Sequence, residues 1–199
     1  MRNESPSLLP IMRSRTLGEL LAWLLIHPDC EYSVSELSRV VGVKLTTAQR
    51  DVGHLVEARL VTTRAVGRNR MVQADQGHPA FEPLSRVMEL TFGPAAVVAE
   101  TFAGLKADAV LIFGSWAARY HGQPGPPPND IDVLVVGQPP RVEVYAAADA
   151  AQDKIGLPVN PVVRSAAQWE ASQDKLVAQI RRSPLVVVLG DVILGDSKL

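Results

Sequence analysis

Two stretches decide how this chain folds: Ala109-Val110-Leu111-Ile112-Phe113-Gly114-Ser115 and, after 14 intervening residues, Asp130-Ile131-Asp132-Val133-Leu134-Val135-Val136. Each is a short apolar run bounded by turn residues, the pattern of a strand buried on both faces. The first run leaves its strand directly onto Gly-Ser. The second carries two aspartates two positions apart, and side chains at i and i+2 of a strand share a face, so both carboxylates are expected to project together. Their mutual repulsion is costly without a cation. Hard carboxylate oxygens suit Mg²⁺ or Mn²⁺, ions that keep several waters and bridge to substrate phosphates. The plainer alternative is a turn at Asn129-Asp130 entering a strand, with Asp130 as a cap and Asp132 solvated at an edge.

Outward from these runs, residues 95–105 have helical composition, residues 122–128 read GQPGPPP as a proline-rich loop, and a helix is expected over 141–155. A further strand is expected over 157–163. A helix holding Trp169 is expected to continue to Arg182, with Arg181 and Arg182 complementing its dipole. A last strand at 185–189 stops at Gly190.

The N-terminal part has a different rhythm. Leu17, Leu20, Leu21, Leu24 and Leu25 fall at helical spacing after Thr16, a candidate N-cap, and the pattern stops at His27-Pro28. Ser33-Val34-Ser35-Glu36 has capping-box spacing and opens a short helix ending at Gly42. A third helix over 45–58 places Leu45, Ala48, Val52, Leu55 and Val56 inward, leaving Thr46, Thr47, Gln49, Arg50 and His54 elsewhere. Strands at 60–64 and 71–74 flank Val66-Gly67-Arg68-Asn69-Arg70, a hairpin tip. After His78-Pro79, an apolar stripe of Phe81, Leu84, Val87, Met88 and residues 90–92 predicts a helix joining two modules, a face equally suited to a homodimer contact.

Charge follows this division. The 199 residues carry a formal net charge of −1, but residues 1–74 hold 10 Lys+Arg and 7 Asp+Glu, whereas residues 75–199 hold 10 and 14. Six basic residues (Lys44, Arg50, Arg59, Arg64, Arg68, Arg70) against Asp51 and Glu57 concentrate positive charge on the third helix and hairpin. Thr46, Thr47, Gln49 and Arg50 on the first turns of a helix can reach base edges, and Arg68 and Arg70 suit backbone or minor-groove contact. The plainer reading is solvated surface charge on a protein-interaction module. The single cysteine, Cys30, excludes an intrachain disulfide and fits a reducing cytoplasmic setting. No apolar run approaches the roughly 20 residues of a membrane span.

The N-terminal pattern resembles the winged helix-turn-helix domains of ArsR/MarR-like regulators, over about 60 residues. Strand, Gly-Ser, short helix and a strand with Asp-x-Asp resemble the minimal nucleotidyltransferase domain of the DNA polymerase β superfamily. That resemblance implies that Gly114 and Ser115 hold a nucleotide's terminal phosphates, that Asp130 and Asp132 bind divalent metal, and that Asn160 stands where a third carboxylate is expected; asparagine can ligate through its carbonyl, but it is no general base and brings no negative charge. Arg119 is a candidate triphosphate contact, the alternative being that it and His121 are surface residues on the helix after the turn. The expectation is an α/β two-domain chain: a tail at 1–14, a winged helix at 15–76 binding DNA, a linker helix at 77–93, and an α+β nucleotidyltransferase-like mixed sheet at 94–199. Its function would be transfer of a nucleotidyl group from an NTP to a hydroxyl; alternatively, a transcriptional regulator that senses nucleotide or dimerises. A third option, by analogy with toxin–antitoxin pairs, is modification of a partner toxin.

Overall fold

Serine hydroxyls start the first two helices. In the computed structural model, which describes residues 14–171 and 174–190, Ser14 Oγ accepts the Leu17 N–H at 3.2 Å and caps α1 (Arg15–Ile26). Thr16, expected as the cap, lies inside the first turn. The helix stops at Ile26, as the residue before Pro28 requires. Ser33 ends the two-residue strand β1 (Tyr32–Ser33) and caps α2 (Val34–Val40) with a full capping box. The Glu36 N–H donates to Ser33 Oγ at 3.2 Å, and the Ser33 N–H donates to Glu36 Oε2 at 2.7 Å. These contacts satisfy amides that the helix itself leaves open. Of the N-terminal tail expected at 1–14, residues 1–13 lie outside the described residues.

The chain divides into two compact units between Gly93 and Pro94. In the first, α3 (Leu45–Glu57) follows α2, and β2 (Val61–Val66) turns through Gly67-Arg68 into β3 (Asn69–Ala74). The hairpin strands are longer than the sequence pattern marks, and β1 adds to β3, giving an antiparallel sheet in the order β1-β3-β2. A two-residue strand is too short for periodicity to register. Ala48, Val52 and Leu55 of α3 are buried as expected, but Leu45 is 45% exposed, because the apolar stripe runs past the part of the helix the core covers. Asp51 takes a buried place on that face instead. The helix α4 (Phe81–Phe92) sends Met88 and Phe92 into the same core as Leu20, Leu24, Leu37 and Val72, leaving Val87 and Leu90 exposed.

The second unit runs α5 (Pro94–Phe102), β4 (Ala107–Phe113), α6 (Gly114–Tyr120), β5 (Ile131–Gly137), α7 (Arg141–Ile155), β6 (Val159–Arg164), α8 (Ala166–Glu170), α9 (Lys175–Ile180) and β7 (Val186–Gly190). The sheet order is β6-β5-β4-β7. β5 and β6 are parallel, joined by the crossover helix α7, while β4 is antiparallel to β5 and to β7. Alternation along the strands splits the core in two. Val110, Ile112, Ile131, Val133 and Val135 face α5 and α7, where Phe102, Val98, Val144 and Ala151 are buried. Leu111, Leu134 and Val136 face Trp169 of α8 and Val177 and Ile180 of α9. The single helix expected to run through Trp169 to Arg182 is thus two: α8 ends at Glu170, and Asp174 caps a new start by accepting the Leu176 N–H at 2.9 Å. Mixed α/β architecture with two sheets is the observed fold class, and among the described residues no helix is long and apolar enough to cross a membrane.

A close approach between α1 and α4 of the first unit is testable. A Cβ built on Gly18 of α1 would lie 2.4 Å from Phe92 Cζ of α4. Gly18→Val should destabilise the protein by about 1–3 kcal/mol in chemical denaturation. Wild-type stability in that variant would mean that α4 does not rest on α1 at this point.

Candidate functional site

β5 is the axis of the site. Across the antiparallel β4–β5 ladder Phe113 pairs with Asp132, and across the parallel β5–β6 ladder Asp132 pairs with Asn160. The end of β4, the start of β5 and the start of β6 therefore coincide, and the residues that the sequence scatters over nearly 50 positions form one row. The next residue after β4 is Gly114, with φ +77°, a left-handed conformation that favours glycine. A Cβ there would lie 2.5 Å from Asp132 Oδ2. Glycine is thus required twice, by the backbone and by the carboxylate beside it.

Asp130, Asp132 and Asn160 are brought together. Asp132 is half-buried within β5, Asp130 stands just ahead of the strand, and Asn160 Nδ2 donates to Asp130 Oδ2 at 2.9 Å. Burial pushes the Asp132 carboxyl above the usual carboxylate range, the Asp130 charge pushes it further, and hydrogen bonding from Asn160 works the other way. Ser115 opens α6 with its side chain exposed. Arg119, expected to meet phosphate, is taken up by the loop that follows its own helix: Nη1 donates to the Gln123 carbonyl, and the guanidinium covers Gly125. His121 Nε2 is hydrogen-bonded to the Leu185 carbonyl at 2.8 Å.

Phe113 was not singled out by sequence reasoning. Strand pairing places it opposite Asp132, half-buried and packed against Leu111 and its neighbours. The signal was present in the sequence as the aromatic residue preceding Gly-Ser. The donor set of the site is two carboxylates and one amide; among the described residues no group of three or more His, Cys, Asp or Glu side chains gathers anywhere.

The basic residues of the first unit sort by sheet face. Val61, Val72 and Ala74 face the core, and the register pairs Val61 with Ala74, Thr63 with Val72 and Ala65 with Arg70. Arg70 therefore lies on the core-facing side of the hairpin yet is exposed. Arg64 is on the opposite face. It forms a two-pronged pair with Glu31, whose carboxyl is held below its ordinary range by that guanidinium. Arg68 occupies the turn. Lys44, just ahead of α3, and Thr46, Gln49 and Arg50 on it are exposed and Thr47 is half-buried; Arg50 Nε also donates to the buried Asp51 at 3.3 Å.

Comparison with protein-family models, with curated proteins and with solved structures finds no match to this chain.

The raised pKa of Asp132 has a definite sign. Because the folded state holds this proton more tightly than the unfolded chain, ionisation of Asp132 costs stability as pH rises through its elevated folded value, and the cost disappears below the ordinary aspartate range. Asp132→Asn should thus gain stability relative to wild type at neutral pH, with the gain shrinking as pH falls below that range. A gain independent of pH in denaturation curves would mean that burial and the Asp130 charge do not raise the Asp132 pKa.

Proposed function

We propose that the second unit is a metal-dependent nucleotidyltransferase-like domain carried by a DNA-binding winged-helix module. The observation that carries this reading is the meeting of Gly114, Asp132 and Asn160 with Asp130: a glycine turn leaving β4, pressed against one of two carboxylates at the start of β5, with Asn160 of β6 alongside. Two hard anionic groups, one of them strained by burial and by its neighbour, fit one divalent cation, Mg²⁺ or Mn²⁺. Bound there, the cation would neutralise phosphate charge and favour departure of pyrophosphate. Asp130 and Asp132 would hold it, and the Gly114-Ser115 turn would admit the nucleotide's phosphates with no Cβ in the way. An acceptor hydroxyl oxygen would bond to the α-phosphorus of an NTP as the bond from that phosphorus to the β-phosphate oxygen breaks, releasing pyrophosphate. Asn160 accepts no proton, so the hydroxyl proton would leave to water.

One observation favours a second reading. The Asn160 amide donates into the carboxylate pair, supplying hydrogen-bond density where a third carboxylate would supply charge. On this reading the unit binds nucleotide without transferring it and serves a transcriptional regulator as a sensor. Incubation with labelled NTPs, Mg²⁺ or Mn²⁺ and a cell extract separates the two. The transfer reading expects labelled acceptor with wild type and none with Asp130→Ala, Asp132→Ala. Nucleotide binding without label favours the sensor, and absence of both removes each.

The element order α1-β1-α2-α3-β2-β3 supports the winged-helix reading of the first unit, with α3 as recognition helix and the hairpin as wing. The wing's free charge is then Arg68 and Arg70, because Arg64 is committed to Glu31. Arg68→Ala and Arg70→Ala should each weaken binding to DNA and lower the salt slope by about one, since each phosphate contact releases close to one counterion. Arg64→Ala should change the slope less. An unchanged slope in the first two variants in gel-shift titrations at two salt concentrations would exclude wing contact with phosphate.

A further inference from the structure

Asp130 precedes β5, and its position depends on what holds the chain on either side. On the C-terminal side the Ile131 N–H donates to the Pro158 carbonyl at 2.8 Å, entering the β5–β6 ladder. On the N-terminal side lies the loop 122–129, Gly-Gln-Pro-Gly-Pro-Pro-Pro-Asn. Both backbone groups of Gln123 are tied to α6: its N–H donates to the Ala118 carbonyl at 2.9 Å, and its carbonyl accepts from Arg119 Nη1. Two residues on, the Arg119 guanidinium covers Gly125 so closely that a Cβ there would lie 2.6 Å from Nη1 and from Nη2. Gly125 has φ +154°, within the range side chains avoid. Pro126, Pro127 and Pro128 then run to Asn129 and Asp130. Each proline fixes its own φ and confines the residue before it to extended backbone, so this piece has few conformations open to it between the bends at 125–126 and 129–130.

We propose that Arg119 is a positioning residue for the carboxylate pair: it clamps the loop at Gln123 and Gly125, and the conformationally restricted proline segment carries that fixed point to Asp130, holding it beside Asn160 and Asp132. Arg119 thus acts on the site through the loop and not by touching phosphate. The consequence for metal binding rests on the function proposed above; the positioning itself does not. Glycine at 125 leaves the guanidinium its place, because a Cβ there would displace it.

The Asn160 side-chain amide reports the arrangement without metal or nucleotide, since it donates to Asp130. In ¹⁵N NMR of the full chain, Arg119→Ala should move the Asn160 side-chain amide resonances toward solvent-exposed values. Gly125→Ala should produce the same shift by displacing the guanidinium, the double variant should add nothing further, and Arg119→Lys should restore part of the native shift. In a parallel Mn²⁺ titration, Arg119→Ala should weaken binding about tenfold or more, the scale on which groups supporting metal ligands act. Unchanged Asn160 resonances in folded Arg119→Ala would overturn the proposal. If those resonances move while wild type takes up no Mn²⁺, the positioning stands and the metal-site reading falls.

Discussion

The pairing of β5 with β4 on one side and β6 on the other is the constraint from which the second unit follows. An antiparallel and a parallel ladder meet on one strand, so the C-terminal end of β4 and the N-terminal ends of β5 and β6 all lie at the same edge of the sheet. Parallel pairing requires a crossover, and α7 provides it while burying Val144, Ala148, Ala151 and Ile155 against the opposite face from Leu134 and Val136. The two apolar layers fix the register, because a one-residue slip of β5 would exchange Asp132 for Ile131 or Val133 on the site's face. Placement of the carboxylates is therefore paid for by the core.

Much of this was legible in the sequence, for identifiable reasons. The helix over 141–155 is found at those limits, because an alanine-rich stripe ends at Gly156, which takes the left-handed C-terminal position. The capping box at Ser33 and Glu36 was readable because it depends only on a three-residue spacing. Asn160 was named from the sequence because the nucleotidyltransferase resemblance expects a third carboxylate on the following strand; that this strand pairs parallel to β5 and sets Asn160 opposite Asp132 is a feature of the structure. What escaped are features set by tertiary contact: β1, whose two residues exist as a strand only because β3 lies beside them; the break between α8 and α9; and the burial of Asp51 in place of Leu45.

Arginine roles were the least legible. A count of charges gives Arg64, Arg68 and Arg70 equal weight, yet a carboxylate 33 residues earlier in the chain takes one of them out of the free set. The same applies to Arg119, whose position one turn after Ser115 suggests a phosphate ligand, whereas its guanidinium is engaged by Gln123 and Gly125. Side-chain commitments of this kind depend on loop conformation, which no periodicity encodes. They also alter the electrostatic division of the chain: the positive surface of the first unit rests on fewer free guanidinium groups than its composition indicates, and the informative charges of the second are two aspartates of which Asp130 raises the pKa of Asp132.

The central claim is that Asp130 and Asp132 hold a single divalent cation together with a nucleotide's phosphates. Mn²⁺ electron paramagnetic resonance with and without an NTP tests it directly. The account expects about one Mn²⁺ per chain whose uptake is strengthened by the nucleotide and lost in Asp132→Ala. Uptake that ignores the nucleotide, or that survives the loss of Asp132, would contradict it.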